Sequence, residues 1–234
     1  MSTFTNNTNS RINIRFACSA VLVACTMLAV TSGAGADIIV PTGVTVTQAP
    51  WGGGYQADNA IDGSGLSAVP TDANVATVTH IASGSGAATT MWAGNPAQPQ
   101  SITFDLGAEF NLNGTWIWNY NQSGTQPLRG MDSFDIYVGG SGEPSAPTEN
   151  QTGNSISLYP DTQTTAQPPE NVPFTASNVQ YVRFLIDNQT ETGLQGIGLS
   201  EVRFSGAPIP EPSTLILAAL GLLGLMGFRR RRNR

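Results

Sequence analysis

Between its two ends the chain alternates. Apolar residues occupy every second position in short runs, and glycine, serine, threonine, asparagine and proline separate the runs. The first run covers 38–47, and in 102–107 Ile102, Phe104 and Leu106 share one face. In 115–120, Trp116, Trp118 and Tyr120 share the face opposite Ile117. Phe134, Ile136 and Val138 repeat the pattern, as do Val182, Phe184 and Ile186, and finally Val202 and Phe204. Alternation at period two marks strands with one buried face, and weaker strands are expected near 156–158 and 172–174. No long apolar period of the helical kind interrupts them. Two sheets packed face to face bury such faces without helices, so the pattern predicts an all-β sandwich. About 170 residues lie between the ends, enough for one domain with a core. Two long polar stretches, 67–90 and 139–176, are expected as surface loops that bury little apolar area.

The ends read differently. Arg11 and Arg15 precede an apolar segment, 16–30, and Ala34-Gly35-Ala36 follows the small-x-small rule. Residues 1–36 are therefore expected to be a signal peptide, with the mature chain starting at Asp37; a retained N-terminal anchor is the alternative. At the far end Pro210-Glu211-Pro212 precede an uncharged run, 213–228, and then Arg229, Arg230, Arg231, Arg232 and Arg234. Those 16 residues make roughly 24 Å of helix, short of a hydrocarbon core of about 30 Å. Snorkelling arginines and local thinning of the bilayer still let a transmembrane helix of this length span. The arginine block stays cytoplasmic, which puts the rest of the chain beyond the inner membrane. Residues 207–210 read as a linker stiffened by Pro208.

Charge and cysteine narrow the function classes. Both cysteines, Cys18 and Cys25, fall in the signal, so the exported part has neither disulfide nor thiol chemistry. That part holds three arginines (Arg129, Arg183, Arg203), no lysine and fifteen acidic residues, a net charge of −12. Nucleic acid and anionic lipid need clustered cations, so neither is an expected partner. The surplus suits a soluble extracellular protein, either as a solubility device or as a holder of cations. Nucleophilic catalysis is poorly served. His80 is the one histidine, and Gly84-Ser85-Gly86 falls short of a G-x-S-x-G elbow. A lone histidine builds no histidine-rich metal centre, and no spacing singles out a carboxylate pair for glycoside hydrolysis.

Several segments, taken in order, resemble discoidin-like domains, the galactose-binding-like jelly rolls related to coagulation factor C-type domains. They are Asn59-Ala60-Ile61-Asp62-Gly63, residues 102–107, residues 116–121, Arg129-Gly130 before 134–138, residues 180–184 and residues 198–204. A family tryptophan expected soon after the Asp-Gly loop is displaced to Trp92 behind an insertion. The resemblance implies a jelly-roll β-sandwich over 37–206. The proline-glutamate-proline motif, short helix and basic end likewise resemble the PEP-CTERM sorting tails of Gram-negative bacteria, over 207–234. In that family an exosortase processes the tail near Pro210, Glu211 and Pro212 and releases or re-anchors the protein outside the cell.

Two sites follow from the discoidin-like resemblance. The first is a structural Ca²⁺ tying the Asp-Gly loop to the last strand. Asp62 and Glu201 would ligate by carboxylate, Ser64 and Ser67 by hydroxyl or carbonyl, and Asn59 or Ala60 by backbone carbonyl. The residues alone also allow a metal-free turn in which Asp62 accepts from backbone amides. The second is a carbohydrate site in loops at one end of the sandwich. Sugars are held by aromatic platforms and planar hydrogen-bonding groups, and Trp51, Tyr55, Trp92, Asn119, Tyr120, Asn121 and Arg129 are the candidates. Trp116 and Trp118 are expected to pack within the sandwich, and Arg129 has Asp132 or Asp135 as alternative partners. The function expected is a non-catalytic carbohydrate-binding module of the envelope or exopolysaccharide. A structural extracellular-matrix or adhesion protein is the alternative, and a small glycoside hydrolase a third.

Overall fold

A computed structural model describes residues 37–82, 89–95, 100–122, 129–159, 165–188 and 196–209, and Gly221. Nine strands follow in order: β1 (Asp37–Ile39), β2 (Gly43–Val46), β3 (Trp92–Gly94), β4 (Gln100–Asn119), β5 (Ser133–Gly139), β6 (Thr148–Ser155), β7 (Glu170–Val172), β8 (Ala176–Asn188) and β9 (Ile197–Pro208). Short 3-10 turns occupy Ala57–Ala60 and Val75–Thr77.

The 20-residue β4 belongs to both layers. Its first half pairs with β2 on one side and β8 on the other, and β8 continues to β5 and β6. Its second half pairs with β7 and β9, and β9 carries β1 and β3 along its other edge. The turn between the halves is made at Gly107, whose φ of 79° lies in the left-handed region that favours glycine. Its N–H is held by Asp105 Oδ1 at 2.8 Å, and the register with β8 shifts between Asp105 and Phe110. One continuous strand thus builds the two-layer sandwich that the alternation predicted as two separate runs.

Between the layers lies the core. Ile102, Phe104, Phe134, Ile136, Val182, Phe184 and Ile186 come from one layer, and Ile39, Ile117, Leu199, Val202 and Phe204 from the other. Phe184 sits at its centre, with ring centroids 5.2 Å from Phe104, 4.8 Å from Phe134 and 6.2 Å from Phe204. The pair with Phe104 is edge to face and the other two are tilted, and such packing adds to the area buried.

The structure differs from the sequence expectation in specific places. Pro41 lies between β1 and β2, so the single strand expected over 38–47 is two short ones. β6, with sequence TENQTGNS, forms inside a stretch expected as loop. It is an edge strand paired only to β5, so it needs no apolar face. Residues 156–158 form no strand. Ala207 and Pro208, expected as linker, continue β9 opposite Asn111 and Phe110.

A third layer of loop covers the outer face of β4 and β9. Trp118 is fully buried there against Val75 and Val78, with Trp116, Leu66 and Ile38 beside it. Trp116 and Trp118 therefore pack outside the sandwich rather than within it. The indole of Trp118 donates to the carbonyl of Val78 at 2.8 Å. The stretch 67–82 thus buries apolar side chains rather than only running over the surface. Among the described residues no helix is long and apolar enough to cross a membrane. The expected signal 1–36, the sorting residues Pro210, Glu211 and Pro212, and the span 213–228 apart from Gly221 lie outside the described residues.

Replacing Phe184 by alanine should lower stability by about 3–5 kcal/mol, the range for deleting a buried ring. The urea midpoint should fall while the denaturant slope stays the same; an unchanged midpoint would place the ring outside the cooperative core.

Candidate functional site

The Asp-Gly loop meets the last strand through hydrogen bonds of its own. Asp62 Oδ1 accepts from Ser64 N–H at 2.7 Å, which closes an Asx-type turn. Gly63 N–H donates to Glu201 Oε2 at 2.8 Å. The other oxygen of Glu201 accepts from the Arg203 guanidinium, an ion pair in which the residues are 0% and 4% exposed. Arg203 Nη1 also donates to the carbonyl of Val202 at 2.8 Å, and Nη2 lies 3.4 Å from where a Cβ on Gly63 would stand. Ser67 Oγ accepts from Thr79 N–H at 3.0 Å, and Ser64 Oγ donates to the carbonyl of Thr89 at 3.3 Å. Asp62, Ser64 and Glu201 are thus brought together through Gly63, while Ser67 pairs with Thr79; the Arg203 guanidinium is packed against Glu201 and Gly63. A cation already on Glu201 and against Gly63 repels a dication and takes its place there, so this arrangement does not fit bound calcium. Burial pushes the Glu201 carboxyl upward, against the opposite pull of Arg203 and of the Gly63 amide, which favour the ionised form.

His80, expected in a low-complexity loop, is instead fully buried. Nε2 lies 3.0 Å from the carbonyls of Ser64 and Thr90, and Nδ1 is 3.0 Å from that of Ile81. Its backbone exchanges two hydrogen bonds with Gln167, so the ring and its peptide hold three loop segments against the sheet. Gly65, at φ 86°, allows the approach: a Cβ there would stand 2.5 Å from Nε2. Burial lowers the pKa of the imidazole from its usual value, more strongly than the three carbonyls raise it.

The expected sugar residues separate into two groups. Trp92 is in β3 and fully buried, so its ring is core. Asn119 is a structural clamp. Its amide donates to the carbonyls of Met131 and Ser157 at 2.8 and 2.9 Å, and its oxygen accepts from the N–H groups of Tyr120 and Met131. Asn121 is fully buried, donating to the carbonyls of His80 and Thr165 at 3.0 and 3.3 Å. Both asparagines close loops and present no group to a ligand.

The second group converges at the sandwich end where β4 leaves, β5 enters and β9 begins. Trp51 and Tyr55 are half-buried and pack on Met91, Ala93 and Tyr120. The backbone N–H of Trp51 is fixed to the carbonyl of Ala93 at 2.8 Å. Arg129 lays its guanidinium over the Trp51 ring, 3.9 Å from the centroid. Gln122 joins them, accepting from the hydroxyl of Tyr120 at 2.6 Å and donating to that of Tyr55 at 3.2 Å. Burial pushes the Tyr120 phenol well above its usual range, and the neighbouring Arg129 opposes this. Tyr120 and Gln122 are therefore buried supports, and Trp51, Tyr55 and Arg129 form the partly open surface. Sequence reasoning missed Gln122, although it stands two positions past Tyr120 in the run already singled out.

Fold and site together define a β-sandwich with a loop-borne aromatic and polar surface at one end. The profile described as NedA-like, galactose-binding domain matches residues 59–184, more than half of the chain, and the chain belongs to that family. A PEP-CTERM protein-sorting motif matches residues 208–232. Similar solved structures include the CBM32 of AlyQ in complex with 4,5-unsaturated mannuronic acid, at 23% identity and TM-score 0.46, covering 71% of this chain and 96% of that one. The lectin domain of lectinolysin complexed with Lewis b antigen is 17% identical with TM-score 0.47, covering 69% and 90%. A CBM32 module from Clostridium perfringens in complex with GalNAc-β-1,3-galactose is 15% identical with TM-score 0.46, covering 71% and 98%. Among curated proteins the chain matches none.

The lowered pKa of His80 sets a pH dependence. A base depressed in the folded state contributes stability that is complete above its unfolded value, about 6.5, and is lost as pH falls. The difference in melting temperature between wild type and His80→Gln should therefore shrink from pH 7.5 to pH 5. A pH-independent difference would show that the imidazole has the same pKa in the folded and unfolded states.

Proposed function

We propose that the exported domain is a non-catalytic carbohydrate-binding module, delivered outside the cell through its C-terminal sorting motif. The observation that supports this is the convergence of Trp51, Tyr55 and Arg129 at one end of the sandwich, with Tyr55 held from beneath by Gln122. Aromatic rings offer a sugar's C–H face an apolar surface, and amide and guanidinium groups supply directed bonds to its hydroxyls. Met91 and Tyr120 beneath them are fully buried, so the rings are held in place before a ligand arrives. Membership of a galactose-binding family supports the same ligand class. The sorting motif supports handling by an exosortase, with the processed domain joining the exopolysaccharide or envelope.

A glycan array probed with residues 37–209 should show saturable binding to particular sugars. Trp51→Ala should weaken it at least tenfold, about 1.4 kcal/mol. A blank array from a folded domain would favour a matrix or adhesion protein without specific sugar binding. Turnover of a polysaccharide would favour a hydrolase. Replacing Pro210, Glu211 and Pro212 by alanine should leave the full-length chain in the inner membrane. Normal release of that variant, read by fractionation and intact mass, would remove the exosortase from this account.

A further inference from the structure

We propose that Arg203 serves as the built-in cation of this domain, occupying the place between the Asp-Gly loop and the last strand that a calcium ion would otherwise take. Glu201 is fully buried, and a carboxylate without water needs a counter-charge or costs several kcal/mol. Arg203 supplies the charge from the same strand. It stands two positions along β9, and period-two geometry sends both side chains to the same outer face. The cross-strand register puts Trp118 opposite Glu201 and Trp116 opposite Arg203, so the ion pair lies in a row of aromatic residues under the loop layer. Glu201 then uses its remaining oxygen to hold Gly63 N–H at 2.8 Å, which fixes the Asp-Gly loop to the strand. Among the described residues this is the one salt bridge. Only three arginines occur in a lysine-free domain, and this one is buried.

The two cations exclude one another. Calcium ligates oxygens at about 2.3–2.6 Å and collects six to eight of them, whereas the guanidinium already holds one oxygen of Glu201 and lies against Gly63. Unlike a metal, arginine stays charged and attached at any calcium concentration. The loop layer would therefore keep its shape in calcium-poor surroundings outside the cell. The clasp has this property whether or not the loop end binds sugar.

All four tryptophans of the chain (Trp51, Trp92, Trp116 and Trp118) lie in the sandwich domain. Tryptophan fluorescence of the full-length chain in detergent therefore reports the melting of this domain. The wild type should melt at the same temperature in millimolar calcium and in chelator, while Arg203→Ala should melt lower in chelator and be raised by calcium in a saturable way. Arg203→Lys, which keeps a charge, should stay close to wild type and ignore calcium. In Arg203→Ala combined with Glu201→Gln the calcium response should vanish. A wild type stabilised by calcium overturns the proposal, as does an Arg203→Ala variant as stable as wild type in chelator. If Arg203→Ala fails to fold, the lysine variant and direct calcium titration of the wild type decide. Saturable calcium binding by the wild type, or a lysine variant that melts lower in chelator and is raised by calcium, overturns the proposal. Absence of both supports it.

Discussion

A sheet that places large apolar side chains on both faces cannot leave either face in water. The second half of β4, with Tyr120 just after it, does this: Ile117 points into the core, while Trp116, Trp118 and Tyr120 point the other way. The sandwich buries the first face by closing on itself, and the second has to be covered by something that is not a sheet. The loop layer exists for that reason. Its apolar contribution is small, chiefly Leu66, Val75, Val78 and Met91, so packing alone gives it little to hold by.

Polar bonds supply the rest, and they are demanding because they are buried. Every backbone group that the loop carries under cover needs a partner. Asn59 donates to the carbonyls of Gly54 and Met91, His80 faces those of Ser64 and Thr90, and Glu201 accepts from Gly63. Removing one such partner leaves another unsatisfied, at roughly 1–3 kcal/mol each. The same bonds reach the candidate ligand surface, since Gly54 precedes Tyr55 and Met91 packs under it. Cover and binding surface are thus one piece of loop, fastened by the residues that make the cover chemically tolerable.

How far this was legible depends on the same distinction. Strand faces were readable where alternation was strong, and the opposition of Ile117 to Trp116, Trp118 and Tyr120 is present in the structure. β6 was not readable, because a paired edge strand with polar residues on both sides carries no periodic signal. The cover was misread because Val75, Val78 and His80 are thinly spread through small polar residues. Among the site residues, Trp51, Tyr55 and Arg129 come together, whereas Trp92, Asn119 and Asn121 turned inward. Residue type announces that an asparagine bonds, but not whether its partner is a sugar or a backbone carbonyl. The Glu201-Arg203 pair was visible as charges alternating with Val202 and Phe204, and that alternation was the signal that a cation already belonged to the strand.

The last strand also relates the candidate ligand surface to the end of the domain that precedes the sorting motif. β9 starts at Ile197, opposite Gly94 in the strand beside Trp51, and ends at Pro208, opposite Phe110 near the bend of β4. Twelve residues of strand cover roughly 35–40 Å, less the length that the bulges remove. The chain therefore leaves the domain at the pole opposite Trp51 and Arg129. A domain tethered through its C-terminal tail presents its aromatic loops away from the tether. Since β9 lies between β4 on one side and β1 and β3 on the other, the separation of these two poles is set by the sandwich itself.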